Sequence, residues 1–241
     1  MCDNCLPSRR SALSLTGLGL AAAATMLASG SGQAQPAALS PTGGPLSPDQ
    51  ALERLMAGNR RYVAEPQVCS SELDRQRGQV VGGQAPWASV VSCADSRVPP
   101  ELVFGGLGLG ELFMVRNAGN TVDTAVLGTL EFGAAVLQSP LILVLGHSRC
   151  GAVAAACDVV ARNATFPGSI GTMIETILPA AISASRQGGD VVETAIRENV
   201  KRTVERLKTT GPILSDLAGK GQIRIVGGVY DLASGRVSLV A

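Results

Sequence analysis

The stretch Leu141–Val153, LILVLGHSRCGAV, carries the pattern that best defines how this 241-residue chain folds. It opens on an apolar run ending at Gly146, as expected of a strand that is buried on both faces of a parallel sheet. Gly146 is predicted to let the chain turn, and the small residues from Arg149 onward predict a helix that packs closely on the same sheet. A strand that leads through a short turn into a helix is the repeating unit of an α/β fold.

Strands and helices alternate along most of the chain. Ser47 can cap the first helix, with Pro48 in its first turn. Further segments are predicted as strands at 87–93 and 112–117, helices at 124–138, 149–161, 170–185 and 191–208, and a strand with a hairpin at 223–240. The sequence therefore predicts an α/β fold with a mainly parallel central β-sheet flanked by helices and a C-terminal β-hairpin.

Residues 1–34 have the pattern of a twin-arginine export signal. Arg9-Arg10 precedes an uncharged run rich in Ala, Gly and Leu, and Gly32–Ala34 has the small–x–small pattern of a signal-peptidase site. The alternative is a retained membrane anchor, but the run is interrupted by Thr and Gly and followed by a Pro-containing linker at 35–46. We therefore expect cleavage, a periplasmic or otherwise exported protein, and a single α/β domain at 47–241.

Composition argues against several classes of partner. The formal net charge is +1, the basic residues are scattered, and aromatic residues make up 3% of the chain, which disfavours nucleic-acid binding. After residue 34 no apolar run approaches the length of a membrane span. We expect no nucleic-acid partner and no stable membrane span after cleavage.

Two cysteine-containing turns follow two of the predicted strands. Cys93 comes directly after the first of these strands, and His147, the only histidine, is followed three residues later by Cys150. Because sites in open α/β sheets lie outside the carboxyl ends of strands, these three side chains converge if the strands are neighbours. Two thiolates and one imidazole with a fourth position open are typical of a catalytic zinc site.

Asp95 and Arg97 lie on the same short turn as Cys93. A guanidinium can hold a carboxylate through two hydrogen bonds and keep it ionised beside a metal. Asp95 could then orient a metal-bound hydroxide, or it could occupy the open position as a fourth ligand in a closed state. The alternative is an ordinary ion pair within a turn.

At these residues the sequence closely resembles the β-class carbonic anhydrases. The resemblance covers about residues 48 to 241. It is carried by CADSRV (Cys93–Val98) and GHSRCG (Gly146–Gly151), and it extends to ALERLMAGNRRYV, GELFMVRNAGN, LEFGAAVL and GGVYDLASGRV.

The resemblance implies a zinc enzyme that reversibly hydrates carbon dioxide to bicarbonate and a proton, through a zinc-bound hydroxide oriented by Asp95 and Arg97. It implies one Zn²⁺ per subunit, held by Cys93, His147 and Cys150. The residues that match substrate-binding positions of the family are Gln84, Phe113, Ala118, Phe132 and Gly151, although Ala118 is often larger and Phe132 often tyrosine. It also implies a homodimer or homotetramer, with the helix from Ser47 as an N-terminal helical arm and 47–241 as a single catalytic domain.

Several alternatives stay open at the level of sequence. The chain could instead be a hydrolase of carbon disulfide or carbonyl sulfide on the same fold. It could also be a non-catalytic zinc or thiol-redox protein. Cys69 and Cys157 could be free or paired. With His147 on the metal no imidazole remains to transfer protons, so buffer or exposed carboxylates such as Glu101 or Asp123 would have to do so.

Overall fold

The computed structural model describes residues 45–66 and 73–241. The predicted export signal, most of the linker at 35–46, and Cys69 lie outside the described residues. No helix within the described ranges is long and apolar enough to cross a membrane.

The described strands form one mixed, mostly parallel sheet. They are β1 (Ala88–Cys93), β2 (Leu112–Asn117), β3 (Leu141–His147), β4 (Arg224–Tyr230) and β5 (Val237–Leu239), in the order β2-β1-β3-β4-β5. The first four are parallel, and β5 runs antiparallel to β4. Both the mainly parallel sheet and the C-terminal hairpin are thereby confirmed. Because Ser92 pairs with Leu145, β1 and β3 end side by side at one edge of the sheet.

Helices cover both faces of this sheet. They are α1 (Pro48–Ala64), α2 (Leu73–Val80), α3 (Pro100–Val103), α4 (Thr124–Ala135), α5 (Gly151–Arg162), α6 (Ser169–Glu175), α7 (Leu178–Ala184), α8 (Val191–Thr209) and α9 (Pro212–Gly219). Ser47 caps α1 in a capping box with Gln50, as its position before Pro48 predicts.

Successive strand residues enter two separate hydrophobic clusters. Val90 and Leu143 pack with residues of α1, whereas Val91 and Val144 pack with residues of α5, α7 and α8. Neighbouring side chains of a strand point to opposite faces, so the two clusters lie on opposite faces of the sheet. This two-sided burial explains why β3 is apolar up to Gly146 and why the only polar residues of β1 are two small, buried serines.

Gly146 has a different role from the one predicted. It lies within β3, and a Cβ atom there would approach Cγ2 of Val200 in α8 to 2.6 Å. The turn after β3 is made instead by Arg149, whose φ of 57° is in the left-handed region. Gly146 is therefore required for the close approach of α8 to the sheet.

The prediction of one helix over 170–185 is wrong. The segment forms α6 and α7, and Pro179 lies in the first turn of α7. A proline lacks the N–H that continues a helix and is tolerated only in a first turn, so it separates the two helices. The short helices α2, α3 and α9 carry too little periodic pattern to be recognised in the sequence.

Candidate metal centre

The two cysteine-containing turns meet at the carboxyl edge of the sheet. Cys93 ends β1, His147 ends β3, and Cys150 is the N-cap residue of α5. One ligand atom from each residue lies within 4.8 Å of the other two, and all three residues are buried. The parallel pairing of β1 with β3 produces this convergence, since it places the last residues of both strands at the same edge.

The hydrogen bonds of His147 leave one ring nitrogen available. Nδ1 lies 2.9 Å from the carbonyl oxygen of Ser148 and donates to it, because a carbonyl can only accept. In the neutral ring Nε2 is therefore the unprotonated nitrogen. Nε2 is buried and has no hydrogen-bond partner in the part of the chain that the structure describes. Leaving such an atom unsatisfied costs about 1–3 kcal/mol, which a metal ion would offset.

The two thiols of the site have the spacing of metal ligands rather than of a disulfide. Sγ of Cys93 lies 4.0 Å from Sγ of Cys150, and both cysteines are free. Tetrahedral zinc with Zn–S bonds of about 2.3 Å would separate two sulfur ligands by roughly 3.8 Å. Together with the unpartnered nitrogen of His147, this spacing means that the residues present fit a zinc ion.

Without a metal, the two thiols share a hydrogen bond that favours one thiolate. The hydrogen bond with Cys150 lowers the pKa of Cys93 to about 4, against burial, which raises it. The backbone N–H of Gly119 also donates to Sγ of Cys93 at 3.4 Å. The same Cys93–Cys150 hydrogen bond, together with burial, raises the pKa of Cys150. A metal ion would take the place of the proton that the pair shares.

Asp95 is held beside this cluster by Arg97. Oδ1 of Asp95 accepts hydrogen bonds from the backbone N–H and the Nε–H of Arg97, both at 2.9 Å, and Oδ2 accepts one from Nη2 at 2.7 Å. The guanidinium of Arg97 holds the pKa of the Asp95 carboxyl well below its usual range. Oδ2 lies 3.8 Å from Nε2 of His147. The site therefore contains an ionised carboxylate oxygen with spare acceptor capacity.

Arg116 is a further residue of the site that sequence reasoning did not single out. Its Nε donates to the carbonyl oxygen of Cys93 at 3.1 Å, and its Nη2 donates to that of Asp95 at 2.7 Å. Arg116 thus fixes the backbone of the turn that carries both residues. A lone arginine near the end of the apolar strand β2, which pairs with β1, was the available signal.

The predicted substrate-binding residues divide into two groups in this chain. Ala118 directly follows β2 and Gly151 directly follows Cys150, so both lie at the metal-binding edge. A Cβ atom at Gly151 would meet no atom within 4 Å, so there is open space beside Cys150.

The other three residues lie at the opposite end of the sheet. Gln84 and Phe132 line a cavity of about 410 Å³, and the rings of Phe132 and Phe113 are 6.2 Å apart. Phe113 pairs with Ser89, four residues before Cys93, which corresponds to about 13 Å along the strand. A single chain therefore does not bring these three residues to the metal-binding cluster.

Cys157 takes no part in the cluster. It is a free, buried thiol on α5, and burial raises its pKa. It packs in the hydrophobic cluster beneath that helix.

Comparisons with known proteins agree on one family. The sequence model of the family described as carbonic anhydrase matches residues 88–237. Carbonic anhydrase 2 from Mycobacterium tuberculosis strain H37Rv is 39% identical over 195 residues, which cover 80% of this chain and 93% of that protein. A Coccomyxa β-carbonic anhydrase, solved in complex with acetazolamide, has a TM-score of 0.62 at 28% identity, covering 78% of this chain and 86% of that one. A chain from two tetrameric β-carbonic anhydrases of Sordaria macrospora shares the fold, with a TM-score of 0.61 and 22% identity over 79% and 94% of the two chains.

These matches include the parts of the chain that form the cluster. The family model spans β1 to the start of β5, and so contains both cysteine-containing turns. The matched regions cover most of each relative as well as most of this chain. The chain is therefore an enzyme that belongs to the β-class carbonic anhydrase family.

Proposed function

We propose that this protein catalyses the zinc-dependent, reversible hydration of carbon dioxide to bicarbonate and a proton, with Cys93, His147 and Cys150 as the zinc ligands. The observation that carries the proposal is the buried Nε2 of His147, which has no hydrogen-bond partner among the described residues and lies beside two thiols and the carboxylate of Asp95. Membership of the carbonic anhydrase family supports the substrate.

Hydrogen bonds position two of the three ligands, His147 and Cys93. The Nδ1–H of His147 donates to Ser148, which directs the lone pair of Nε2 toward the thiols. Arg116 holds the turn that carries Cys93, and the N–H of Gly119 stabilises negative charge on its sulfur. A zinc ion held by these three residues would lower the pKa of a bound water and so supply a nucleophile.

In this proposal, Asp95 positions the attacking water. Three hydrogen bonds from Arg97 use three of the roughly four acceptor sites of its carboxylate, and Oδ2 has only one of them. Oδ2 can accept one more hydrogen bond, from the water, and this would turn an oxygen lone pair toward carbon dioxide. Arg97 keeps the carboxylate ionised, so it acts as an acceptor throughout.

We infer that a second copy of the chain completes the substrate pocket. Gln84, Phe113 and Phe132 are remote from the metal ligands of their own chain, and Phe132 is 43% exposed. The strand β2 is an edge strand whose side chains are only partly buried, so it has an unpaired side available for a partner. A homodimer, or a tetramer of such dimers, could bring Gln84 and Phe132 of one protomer to the open space beside Cys150 of the other.

Mixing two inactive variants tests this assembly. Phe132→Asp and Cys150→Ala should each be inactive alone. Heterodimers of the two variants should regain activity. One of their two sites takes Cys150 from the Phe132→Asp protomer and Phe132 from the Cys150→Ala protomer, so that site has neither substitution. Absence of any rescue, together with a monomeric mass by light scattering, would contradict the shared site.

Metal analysis and stopped-flow kinetics test the function itself. Purified protein should contain one zinc per subunit and hydrate carbon dioxide, and both properties should be lost in His147→Ala and Cys150→Ala. Cys157→Ala is the matched control, since this thiol lies on the same helix as Cys150 but outside the cluster, and it should keep zinc and activity. Sulfide release from carbon disulfide or carbonyl sulfide, without hydration of carbon dioxide, would instead support the alternative hydrolase.

We also propose export through the twin-arginine route, on the sequence of residues 1–34 alone. Cell fractionation of the tagged protein should find a shortened chain in the exported fraction. Replacing Arg9-Arg10 by two lysines should leave the full-length chain inside the cell, and continued export of that variant would argue against the route.

A further inference from the structure

A second cavity, of about 480 Å³, lies apart from the metal-binding cluster. It is bounded by the C-terminal half of α8, by the segment joining α6 to α7, and by the residues that follow Asn120. Arg202 and Arg206 of α8 line it, together with Thr121 and Thr176 from the other two segments. Its volume falls in the range of cavities that bind small molecules.

The positive charge of the two arginines in this cavity exceeds the negative charge of Glu205, the one acidic residue among its described lining. Arg202 and Arg206 are four residues apart and so lie on one face of α8, where like charges repel. Neither forms an ion pair within the part of the chain that the structure describes, although Lys201 on the same helix pairs with Glu198 at 3.3 Å. The negative end of the helix dipole accounts for a cation in the last turn, such as Arg206, but not for Arg202.

The remaining lining is mostly hydroxyl and amide groups. The cavity also contains the side chains of Asn199, Thr203, Thr209 and Thr210, with Glu205 as the one acidic residue among the described lining. Asn199 and Thr203 are buried, whereas both arginines are exposed. Polar groups therefore form the inner wall, and the guanidinium groups lie nearer the opening.

We propose that this cavity is a binding site for a phosphate group, carried by a small organic phosphate or present as free phosphate. Two guanidinium groups can each give two parallel hydrogen bonds to a phosphate. The hydroxyl groups of Thr176 and Thr209 already donate to backbone carbonyl oxygens. The hydroxyl groups of Thr121, Thr203 and Thr210 are therefore the ones that can donate to the remaining phosphate oxygens. The volume exceeds what one phosphate ion needs, so there is room for an organic part against Pro179 and Val122.

The site is separate from the metal centre but is connected to it. Asn199 lines the cavity, and its Nδ2 donates to the carbonyl oxygen of Gly119 at 2.9 Å. The N–H of Gly119 in turn donates to Sγ of Cys93. Two hydrogen bonds thus separate a ligand that contacts Asn199 from a predicted zinc ligand.

Calorimetric titration of the full chain tests the proposal independently of catalysis. The probes are inorganic phosphate, glucose 6-phosphate and glucose. We expect the two phosphates to bind at one site per chain and glucose not to bind. The relative affinities of the two phosphates tell whether the organic part contributes.

A charge-matched pair of variants identifies the site. The double variant Arg202→Ala/Arg206→Ala should weaken phosphate binding by roughly tenfold or more, since hydrogen bonds between charged groups are lost. Arg197→Ala/Lys208→Ala removes the same charge from exposed positions of α8 outside the cavity and should bind as the wild type does. Equal weakening in both double variants, no weakening in either, or no phosphate binding by the wild type would overturn the proposal.

Discussion

Replacing Gly146 with alanine would place a methyl group in space that α8 already occupies. The new Cβ would lie 2.6 Å from Cγ2 of Val200 and 3.6 Å from Cγ2 of Ile196, and the first distance is too short for two carbon atoms. Adding a methyl group to a packed core costs about 1–3 kcal/mol. In a protein of this size 1 kcal/mol lowers Tm by about 2–4 °C, so Tm should fall by about 2–12 °C.

Val200 provides the second half of a double-mutant cycle. Its Cγ2 faces Gly146, and its Cγ1 lies 2.5 Å from where a Cβ at Gly227 of β4 would be. Val200→Ala removes both methyl groups, at a cost of about 1.6 kcal/mol for the lost burial. It also makes room for the alanine at position 146. The double variant should therefore be more stable than the sum of the two single effects predicts, by about 1–3 kcal/mol.

Urea unfolding of the wild type, both single variants and the double variant measures this coupling. Gly128→Ala is the control, because this glycine lies in α4 with no atom within 4 Å of the new methyl group. That substitution should stabilise the protein by about 0.5–1 kcal/mol. If the penalties of Gly146→Ala and Val200→Ala add to within about 0.5 kcal/mol, the close-packing explanation of Gly146 is wrong. Since Gly146 precedes His147, we also expect Gly146→Ala to lower zinc content, and Val200→Ala to restore it.

Four further predictions concern the site and its surroundings. Asp95→Asn should lower the hydration rate by roughly 10²-fold while zinc is retained, and stopped-flow kinetics beside metal analysis would show it. Arg116→Ala frees the carbonyl groups of Cys93 and Asp95 and should weaken zinc affinity by about 10–100-fold in chelator competition, whereas unchanged affinity would remove Arg116 from the site. Hydrogen bonds from the hydroxyl and N–H of Ser234 lower the pKa of Asp231 below 3.8. The stabilisation they provide is therefore present above pH 3.8 and is lost as the pH falls through the lowered pKa. NMR titration of Ser234→Ala should find the pKa of Asp231 moved up toward 3.8. Because His147 is the only histidine, turnover should rise with buffer concentration, and a rate independent of buffer would show that another group carries the proton.

Much of the sheet could be predicted because β1, β3 and β4 are buried on both faces. The predicted segments at 87–93, 112–117 and 141–146 agree with β1, β2 and β3 to within one residue at either end. Each segment is short and mainly apolar, and in a sequence where such segments alternate with helical ones they are expected to form strands. The sequence also predicts that Cys93, His147 and Cys150 converge if their two strands are neighbours, and the sheet order confirms that β1 lies beside β3.

Other features depended on contacts between residues distant in the sequence. Gly146 is required because of Val200, more than fifty residues later in the chain. Arg116 takes part in the site through two carbonyl groups, one at the end of β1 and one in the turn that follows β1. The break between α6 and α7 at Pro179 could have been anticipated from the proline itself, but an apolar segment on both sides concealed it. The family resemblance implied that Gln84 and Phe132 bind substrate, but it did not indicate that the fold of one chain separates them from Cys93.

The amino-acid sequence alone determined the strand–helix alternation, the two cysteine-containing turns and the choice of ligand types, because these depend on local hydrophobic pattern and side-chain chemistry. Only the tertiary structure decided that Nε2 of His147 lacks a hydrogen-bond partner among the described residues, and that the sulfur atoms of Cys93 and Cys150 lie 4.0 Å apart. It also decided that Gln84, Phe113 and Phe132 lie at the other end of the sheet. These are relations between separate elements. They follow from how helices and strands pack against one another, which local pattern does not specify.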